Sequence, residues 1–260
     1  MEVVVVSDPL AASTLVADEI SALLLRRPEA VLGLATGSSP LTTYDELIAR
    51  HRSGHVTFAG ATAFLLDEYI GLPLGHPESY LEFIRRHFTD AIDIAPDNVR
   101  SPNGAATDLP EACAAYERAI RAAGGVDLQL LGIGTDGHVG FNEPTSSLGS
   151  RTRVKTLTDQ TRRDNARFFD GIDEVPRHVL TQGIGTILEA RHLVLIATGA
   201  SKAIPIAAAV EGPLTSMVPA SAIQLHPHAT VVVDEAAASR LQLLEYYRTT
   251  YSSKPAWQGL

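Results

Sequence analysis

Runs of β-branched and other apolar residues recur along this chain at 3–6, 31–35, 62–66, 126–131, 154–157, 193–197 and 230–233, with helix-like segments between them. Strands that are apolar on both faces must be covered on both, and strands separated by helices run parallel. The alternation therefore predicts an α/β fold, three layers (α/β/α) around a mostly parallel central sheet. The helices expected at 9–25, 40–50, 77–87, 110–122, 160–169, 201–210 and 235–247 mostly begin at or just after Pro, Asp or Ser, residues that start helices. No repeat, low-complexity tract or linker-like stretch divides the chain, so one domain spanning 1–260 is expected. One segment breaks the rhythm. Residues 132–150 read as a long irregular loop, and loops of that length inside compact domains usually carry function.

The chain has 21 Lys and Arg against 30 Asp and Glu, a formal charge of −9, so it has no general attraction for nucleic acid or an anionic membrane surface. An anionic ligand must be held by local positive groups. The one cysteine, Cys113, lies in a helix-like stretch with no thiolate-activating base beside it and reads as a small buried apolar residue. No basic leader opens the sequence and no apolar run approaches the ~20 residues of a membrane span, so a cytoplasmic location is expected.

Four stretches carry candidate chemistry. In Val31-Leu-Gly-Leu-Ala-Thr-Gly-Ser-Ser-Pro40 a strand turns into a helix through small residues. Free backbone N–H groups and the hydroxyls of Thr36, Ser38 and Ser39 are placed to cradle a phosphate there. The stretch lacks the Gly-Lys-Ser/Thr ending of a nucleotide loop, which favours a monophosphate. Asp67 and Glu68 follow the apolar end of the strand at 62–66, where a parallel sheet presents its ligand crevice, and alternation points the two carboxylates different ways. One of them is a candidate general base; a solvated strand end is the plain alternative.

The third stretch is Gly132-Ile-Gly-Thr-Asp-Gly-His-Val-Gly-Phe-Asn-Glu-Pro144. Its G-x-G-x-x-G spacing suggests a dinucleotide site, but Gly140, Asn142 and Pro144 interrupt the helix on which a pyrophosphate would rest. What remains is a glycine-rich loop bearing Asp136, His138 and Glu143. Imidazole changes charge near neutral pH, and flanking carboxylates orient it and raise its proton affinity. One histidine without neighbouring cysteines argues against zinc, and no metal is expected. The fourth is a set of basic residues: Arg151, Arg153 and Lys155, then Arg162, Arg163 and Arg167, and Lys202. Lys202 follows a strand and a small-residue turn, as in the first stretch, and so is a second candidate for facing a phosphate.

Together the strings Leu34-Ala-Thr-Gly-Ser-Ser-Pro40, Leu66-Asp-Glu-Tyr-Ile-Gly-Leu72, His76-Pro-Glu-Ser-Tyr80, the 132–144 loop, Ser150-Arg-Thr-Arg-Val-Lys-Thr-Leu157, Val210-Glu-Gly212 and Gln224-Leu-His-Pro227 resemble the glucosamine-6-phosphate deaminases, in order and over almost the whole chain. Ser38-Ser39 and Gly140 depart mildly from the family pattern, Gly140 standing where alanine is common. The resemblance implies a reaction on an open-chain amino-sugar phosphate, giving fructose 6-phosphate and ammonia without a cofactor. It implies that His138 handles the ring-opening proton, with Asp136 and Glu143 setting its charge and orientation, and that Asp67 moves the proton from C2 to C1. Thr36, Gly37, Ser38, Arg167 and Lys202 are then expected to hold the phosphate. It further implies a homo-oligomer, up to a hexamer, in which Ser146, Arg153 and Lys155 form a second, regulatory anion site; the alternative for these three is a strand with an exposed basic face. Two other functions stay open, a phosphogluconolactonase-like hydrolase and a sugar-phosphate-binding regulator.

Overall fold

A computed structural model describes residues 1–260 apart from Leu74, Arg167, Phe168, Asp170, Ala256 and Trp257, and of Gln160 and Asp164 the backbone alone. The strands are β1 (Glu2–Val6), β2 (Val31–Leu34), β3 (Thr62–Leu65), β4 (Asp67–Tyr69), β5 (Val99–Arg100), β6 (Leu128–Leu131), β7 (Arg153–Thr156), β8 (His178–Thr181), β9 (His192–Ala197) and β10 (Ala229–Asp234). The helices are α1 (Pro9–Arg26), α2 (Leu41–Arg52), α3 (Tyr80–His87), α4 (Leu109–Ala122), α5 (Asp159–Asn165), α6 (Ile184–Ile187), α7 (Ala203–Val210), α8 (Glu235–Ala238) and α9 (Leu244–Ser252). Local chemistry sets several starts. Asp8 caps α1 by accepting from Ala11 N at 2.9 Å with Pro9 in the first turn, Ser79 caps α3, and Asp108 caps α4 with Pro110 behind it.

Seven parallel strands in the order β1-β10-β9-β6-β2-β3-β5 form the central sheet, flanked by helices, as the alternation of segments predicts. β2, β6, β9 and β10 are buried at every residue, which is why they read as mostly apolar runs rather than as an alternation. Among the described residues no helix is long and apolar enough to cross a membrane.

Two expectations need correction. The strand at 154–157 is not in the parallel sheet: β7 pairs with β8 and β8 with β4, all antiparallel, in a separate three-stranded sheet. Its residues alternate between half-buried and exposed, the mark of a sheet with one covered face. The seventh parallel strand is instead β5, two residues long and too short to show a pattern. The helix expected at 235–247 is broken into α8 and α9, because the Glu211 carboxylate accepts from Gln242 N at 2.8 Å and Leu243 N at 2.9 Å and takes the donors that a continuous helix needs.

Tyr44 of α2 fixes the end of β2. Its fully buried hydroxyl donates to Ala35 O at 2.7 Å and accepts from Ala35 N at 3.2 Å, while its ring stacks on Phe88 at 4.6 Å. Tyr44→Phe keeps the stacking but leaves both backbone groups of Ala35 unpaired, and should cost about 1–3 kcal/mol in equilibrium urea unfolding. An unchanged midpoint would show that this bond contributes nothing to the register of the loop that follows.

Candidate active site

β2 and β6 are neighbours, yet the chain leaves β2 toward β3 on one side and returns from β6 toward β9 on the other. Loops that diverge this way leave a crevice at the carboxyl ends of the strands, where α/β sheets bind their ligands. Three glycine-containing turns meet there: 36–39 after β2, 132–144 after β6 and 199–202 after β9. Gly37 and Ser38 are exposed and Thr36 half-buried at the start of α2. A Cβ built on Gly132 would lie 3.9 Å from Ser39 Oγ, so the first two turns are in contact. Asp234, at the end of β10, accepts from Gly199 N at 3.0 Å and holds the third. Lys202 Nζ donates across the crevice to Ile133 O at 2.7 Å, and burial pulls its ammonium below the usual lysine range. Arg167 lies outside the described residues.

The fourth contribution arrives by a change of sheet. After β3 the chain leaves the parallel sheet and enters β4. Gln182 holds that junction: its N donates to Leu66 O at 2.7 Å and its Nε2 to Leu65 O at 3.0 Å. Asp67, the first residue of β4, is 4% exposed and sits opposite Thr181 of β8. A Cβ on Gly140 would come 3.4 Å from Asp67 Oδ2 and 3.1 Å from Thr181 Oγ1, so the 132–144 loop runs directly over this carboxyl. Burial first, and then the charge of neighbouring Glu68, push the Asp67 carboxyl up to about 8. Glu68 points the other way. It accepts from Tyr69 N at 2.8 Å, Tyr80 N at 2.9 Å, Leu81 N at 3.0 Å and Ser101 Oγ at 3.3 Å, capping α3. Burial still holds it above the usual carboxylate range. A cavity of about 980 Å³ lies on that side, lined by Glu68, Tyr69 and Ser101 but not by Asp67, His138 or Lys202.

His138 is folded back over its own turn. A Cβ on Gly134 would fall 2.2 Å from His138 Cε1, so only glycine fits there, and Gly134 N donates to His138 O at 2.9 Å. Asp136 Oδ1 stands 2.6 Å from His138 Nδ1 and accepts from His138 N at 3.2 Å. His138 in turn holds the Asp136 carboxyl below its ordinary value. Nε2 has no partner among the described residues. The carboxylate of Glu143 is elsewhere, on the hydroxyls of Thr158 and Thr161.

Of the other basic candidates, Arg151 is bound to Glu117 and Glu189, and Arg162 donates to Ile172 O and Val175 O. Arg153 and Lys155 share the half-buried face of β7, whereas the exposed face carries Val154 and Thr156. Ser146 is buried and its Oγ is unpaired among the described residues. Sequence reasoning missed Asn142, Thr181 and Gln182. Asn142 is fully buried and its Nδ2 donates to Val139 O at 3.0 Å and Gln182 O at 2.8 Å. Its place inside the glycine-rich loop was the available signal, whereas Gln182 acts on residues far away in sequence and left none. Among the described residues no group of three or more His, Cys, Asp or Glu side chains is arranged to hold a metal ion.

The raised Asp67 carboxyl has a consequence for stability. It titrates near 3.8 in the unfolded chain and near 8 in the folded one, so its favourable contribution is complete below about pH 4 and is lost progressively as pH rises to about 8. Asp67→Asn removes this dependence, and the variant should gain stability relative to wild type between those two pH values. Urea unfolding at both pH values measures it; a difference that does not grow with pH would place the carboxyl in a far more polar setting.

Comparison with known proteins agrees with this geometry. The family model described as glucosamine-6-phosphate isomerases/6-phosphogluconolactonase matches residues 9–233. The glucosamine-6-phosphate deaminases of an Arthrobacter species and of Mycolicibacterium smegmatis are 64% and 61% identical, each aligned over the full length of both chains. A solved glucosamine-6-phosphate deaminase described as monomeric superposes with a TM-score of 0.89 at 42% identity, covering 92% of this chain and 100% of that one. The 6-phosphogluconolactonase of Trypanosoma cruzi, at 20% identity and a TM-score of 0.73 over 93% of this chain and 97% of its own, shares the fold. On these matches and on the site they span, the chain belongs to the glucosamine-6-phosphate isomerase/6-phosphogluconolactonase family, among its glucosamine-6-phosphate deaminases.

Proposed function

We propose that the chain, acting as one domain, converts glucosamine 6-phosphate and water to fructose 6-phosphate and ammonia. The observation that carries the reading is the buried Asp67 carboxyl, held out of the parallel sheet and against the loop that bears His138. The phosphate rests on Thr36, Gly37 and Ser38 at the start of α2, with Lys202 and Arg167 supplying charge. His138, with Asp136 at Nδ1, uses Nε2 to take the proton of the anomeric hydroxyl and pass it to the ring oxygen, which opens the sugar. Asp67 then removes the proton at C2 and returns one at C1, so that the aldose amine becomes a ketose imine. Water adds to the imine carbon and ammonia leaves.

Burial suits Asp67 to this step. A carboxylate with proton affinity near 8 is a stronger base toward a carbon acid than a solvated one, and once loaded it keeps the proton long enough to deliver it to the adjacent carbon. Lactone hydrolysis needs only a base that activates water, and gives no use to a carboxyl buried beside C2. A regulator that merely binds a sugar phosphate needs no such base either.

Ammonia release from glucosamine 6-phosphate, with 6-phosphogluconolactone as the control substrate, tests the reading. In wild type kcat/KM should rise with pH toward a limb near 8, where the free Asp67 ionises. Asp67→Asn should lose about 10²–10⁴-fold in rate, together with solvent-deuterium exchange at C2. Near-normal exchange in the variant would exclude Asp67 as the base.

We also propose that Ser146, Arg153 and Lys155 form a second anion site, between subunits of a homo-oligomer of up to six chains. The unpaired buried hydroxyl of Ser146 and the half-buried placing of both cations support this over an exposed basic face. Regulation requires the effector to favour the active state. Rate curves with and without N-acetylglucosamine 6-phosphate, read beside sedimentation of the same samples, should show a shift that Lys155→Ala abolishes. An unshifted curve, or a monomer throughout, would remove the proposal.

A further inference from the structure

In the three-stranded sheet one row of residues shares a face: Asp67 of β4 stands opposite Thr181 of β8, and Thr181 opposite Arg153 of β7. Thr181 is fully buried. Its hydroxyl accepts from Phe141 N at 3.2 Å and donates to Gln182 O at 3.2 Å, so it is engaged both as acceptor and as donor. The first of these bonds reaches the loop that bears His138. One residue earlier in that loop Gly140 has a φ of 56°, and a Cβ there would meet Thr181 Oγ1 at 3.1 Å, Asp67 Oδ2 at 3.4 Å and Asn142 Nδ2 at 3.6 Å. The hydroxyl, the carboxyl and the roof formed by the loop therefore converge on one spot. A second tie, Asn142 Nδ2 to Gln182 O at 2.8 Å, fastens the next part of the loop to the same corner. β8 thus pairs through its backbone with the strand of Asp67 and grips through the Thr181 side chain the loop above it. A β-branched side chain has few choices at χ1, so the direction of that hydroxyl is set by the strand itself.

We propose that Thr181 is a positioning residue for the isomerisation: by holding Phe141 N it keeps Gly140 over the Asp67 carboxyl and water away from it. It moves no proton itself. The inference rests on the role given above to Asp67 as the base at C2. The charged and titratable groups around Asp67 come from other positions. Glu68 and Tyr69 share its strand, Tyr80 lies on α3 and Tyr116 on α4, and burial holds all three phenols above the ordinary tyrosine range. The loop carries Asp136, His138 and Glu143, and Arg153 stands one strand beyond Thr181. Replacing the Thr181 hydroxyl by a methyl group changes none of these charges. What it removes is the acceptor of a buried N–H, which is then satisfied only by admitting water. Water beside Asp67 favours the charged carboxylate and lowers its proton affinity, because burial is the first cause of the raised one.

The test compares wild type, Thr181→Val and Thr181→Ser in the full chain, first through the pH dependence of ammonia release. In Thr181→Val the limb of kcat/KM near 8 should move down by about one pH unit or more. A weaker base also works more slowly, so kcat should fall about tenfold while KM for glucosamine 6-phosphate changes by less than about threefold. Thr181→Ser keeps the acceptor but loses the branch that fixes it, and should hold the limb within about 0.3 pH unit of wild type. Thr181→Ala serves where the valine variant does not fold. A second measurement needs no turnover. Asp67→Asn gains stability over wild type between about pH 4 and 8, and in urea unfolding that gain should shrink once Thr181→Val is present, because the carboxyl it replaces is then less raised. A rate loss in Thr181→Val with both the limb and the Asp67→Asn gain unmoved would overturn the proposal and leave the hydroxyl a purely structural bond. Wild-type rate and limb in that variant would overturn it too. If wild type released no ammonia the deaminase reading itself would fail, yet the unfolding comparison would still decide whether Thr181 keeps water from Asp67.

Discussion

After Leu65 one strand leaves the parallel sheet, and the arrangement of groups at the mouth of the crevice depends on that departure. A strand that simply continued would carry Asp67 past the end of its neighbours into solvent. Instead the backbone groups released at the junction are recaptured by Gln182 on Leu65 O and Leu66 O, and by Tyr116, whose hydroxyl donates to Leu65 O at 2.6 Å. Buried carbonyls left unpaired would make the change of sheet costly. With them satisfied, β4 pairs with β8, and Asp67 ends up beneath the glycine loop rather than beyond it.

The same strand shows how alternation separates two adjacent carboxylates into different tasks. Glu68 turns toward the start of α3, where three backbone N–H groups and the Ser101 hydroxyl satisfy it. Asp67 turns toward the crevice and has no hydrogen-bond donor among the described residues, so its charged form lacks the compensation that Glu68 receives. An acid in that condition keeps its proton to higher pH, which is a cost to the fold at neutral pH and an advantage to a base that must attack a C–H bond. Catalytic potential and local instability are here one property of one side chain.

How far the sequence revealed this can be argued residue by residue. Strands buried on both faces, such as β9 and β10, announce themselves because, His192 and Asp234 at their ends apart, every side chain in them is apolar or small. The loops after β2 and β6 were legible for a related reason: glycine at 134, where any Cβ would clash with the His138 ring, and small residues at the start of α2 are demands of geometry that composition exposes. The second sheet was not legible. Its members are three or four residues long, two of them come from the far side of a loop, and their pairing is fixed by contacts such as Gln182 to Leu65 that no local pattern encodes. The placement of Glu143 escaped for the opposite reason. Its closeness in sequence to His138 suggested a shared task, whereas its hydrogen bonds run to Thr158 and Thr161.

Charge sorts the cations in a way that bears on anion binding. In a chain with a formal charge of −9, several arginines are already paired with carboxylates: Arg151 with Glu117 and Glu189, Arg27 and Arg191 together with Asp127, and Arg248 with Glu235 and Glu245. Lys202 differs. Its ammonium rests on a carbonyl oxygen, Ile133 O, and the Asp136 carboxylate acts on it only through a Coulombic attraction that is smaller than the effect of burial. A phosphate arriving at Gly37 and Ser38 would find backbone N–H groups at the start of α2 on one side and the Lys202 ammonium on the other. The net charge repels anions at long range, but screening confines that field to about a Debye length, roughly 8 Å at physiological ionic strength. Within that distance the local cation and the helix terminus set the sign of the interaction, which is how the proposed phosphate site is reconciled with an acidic chain.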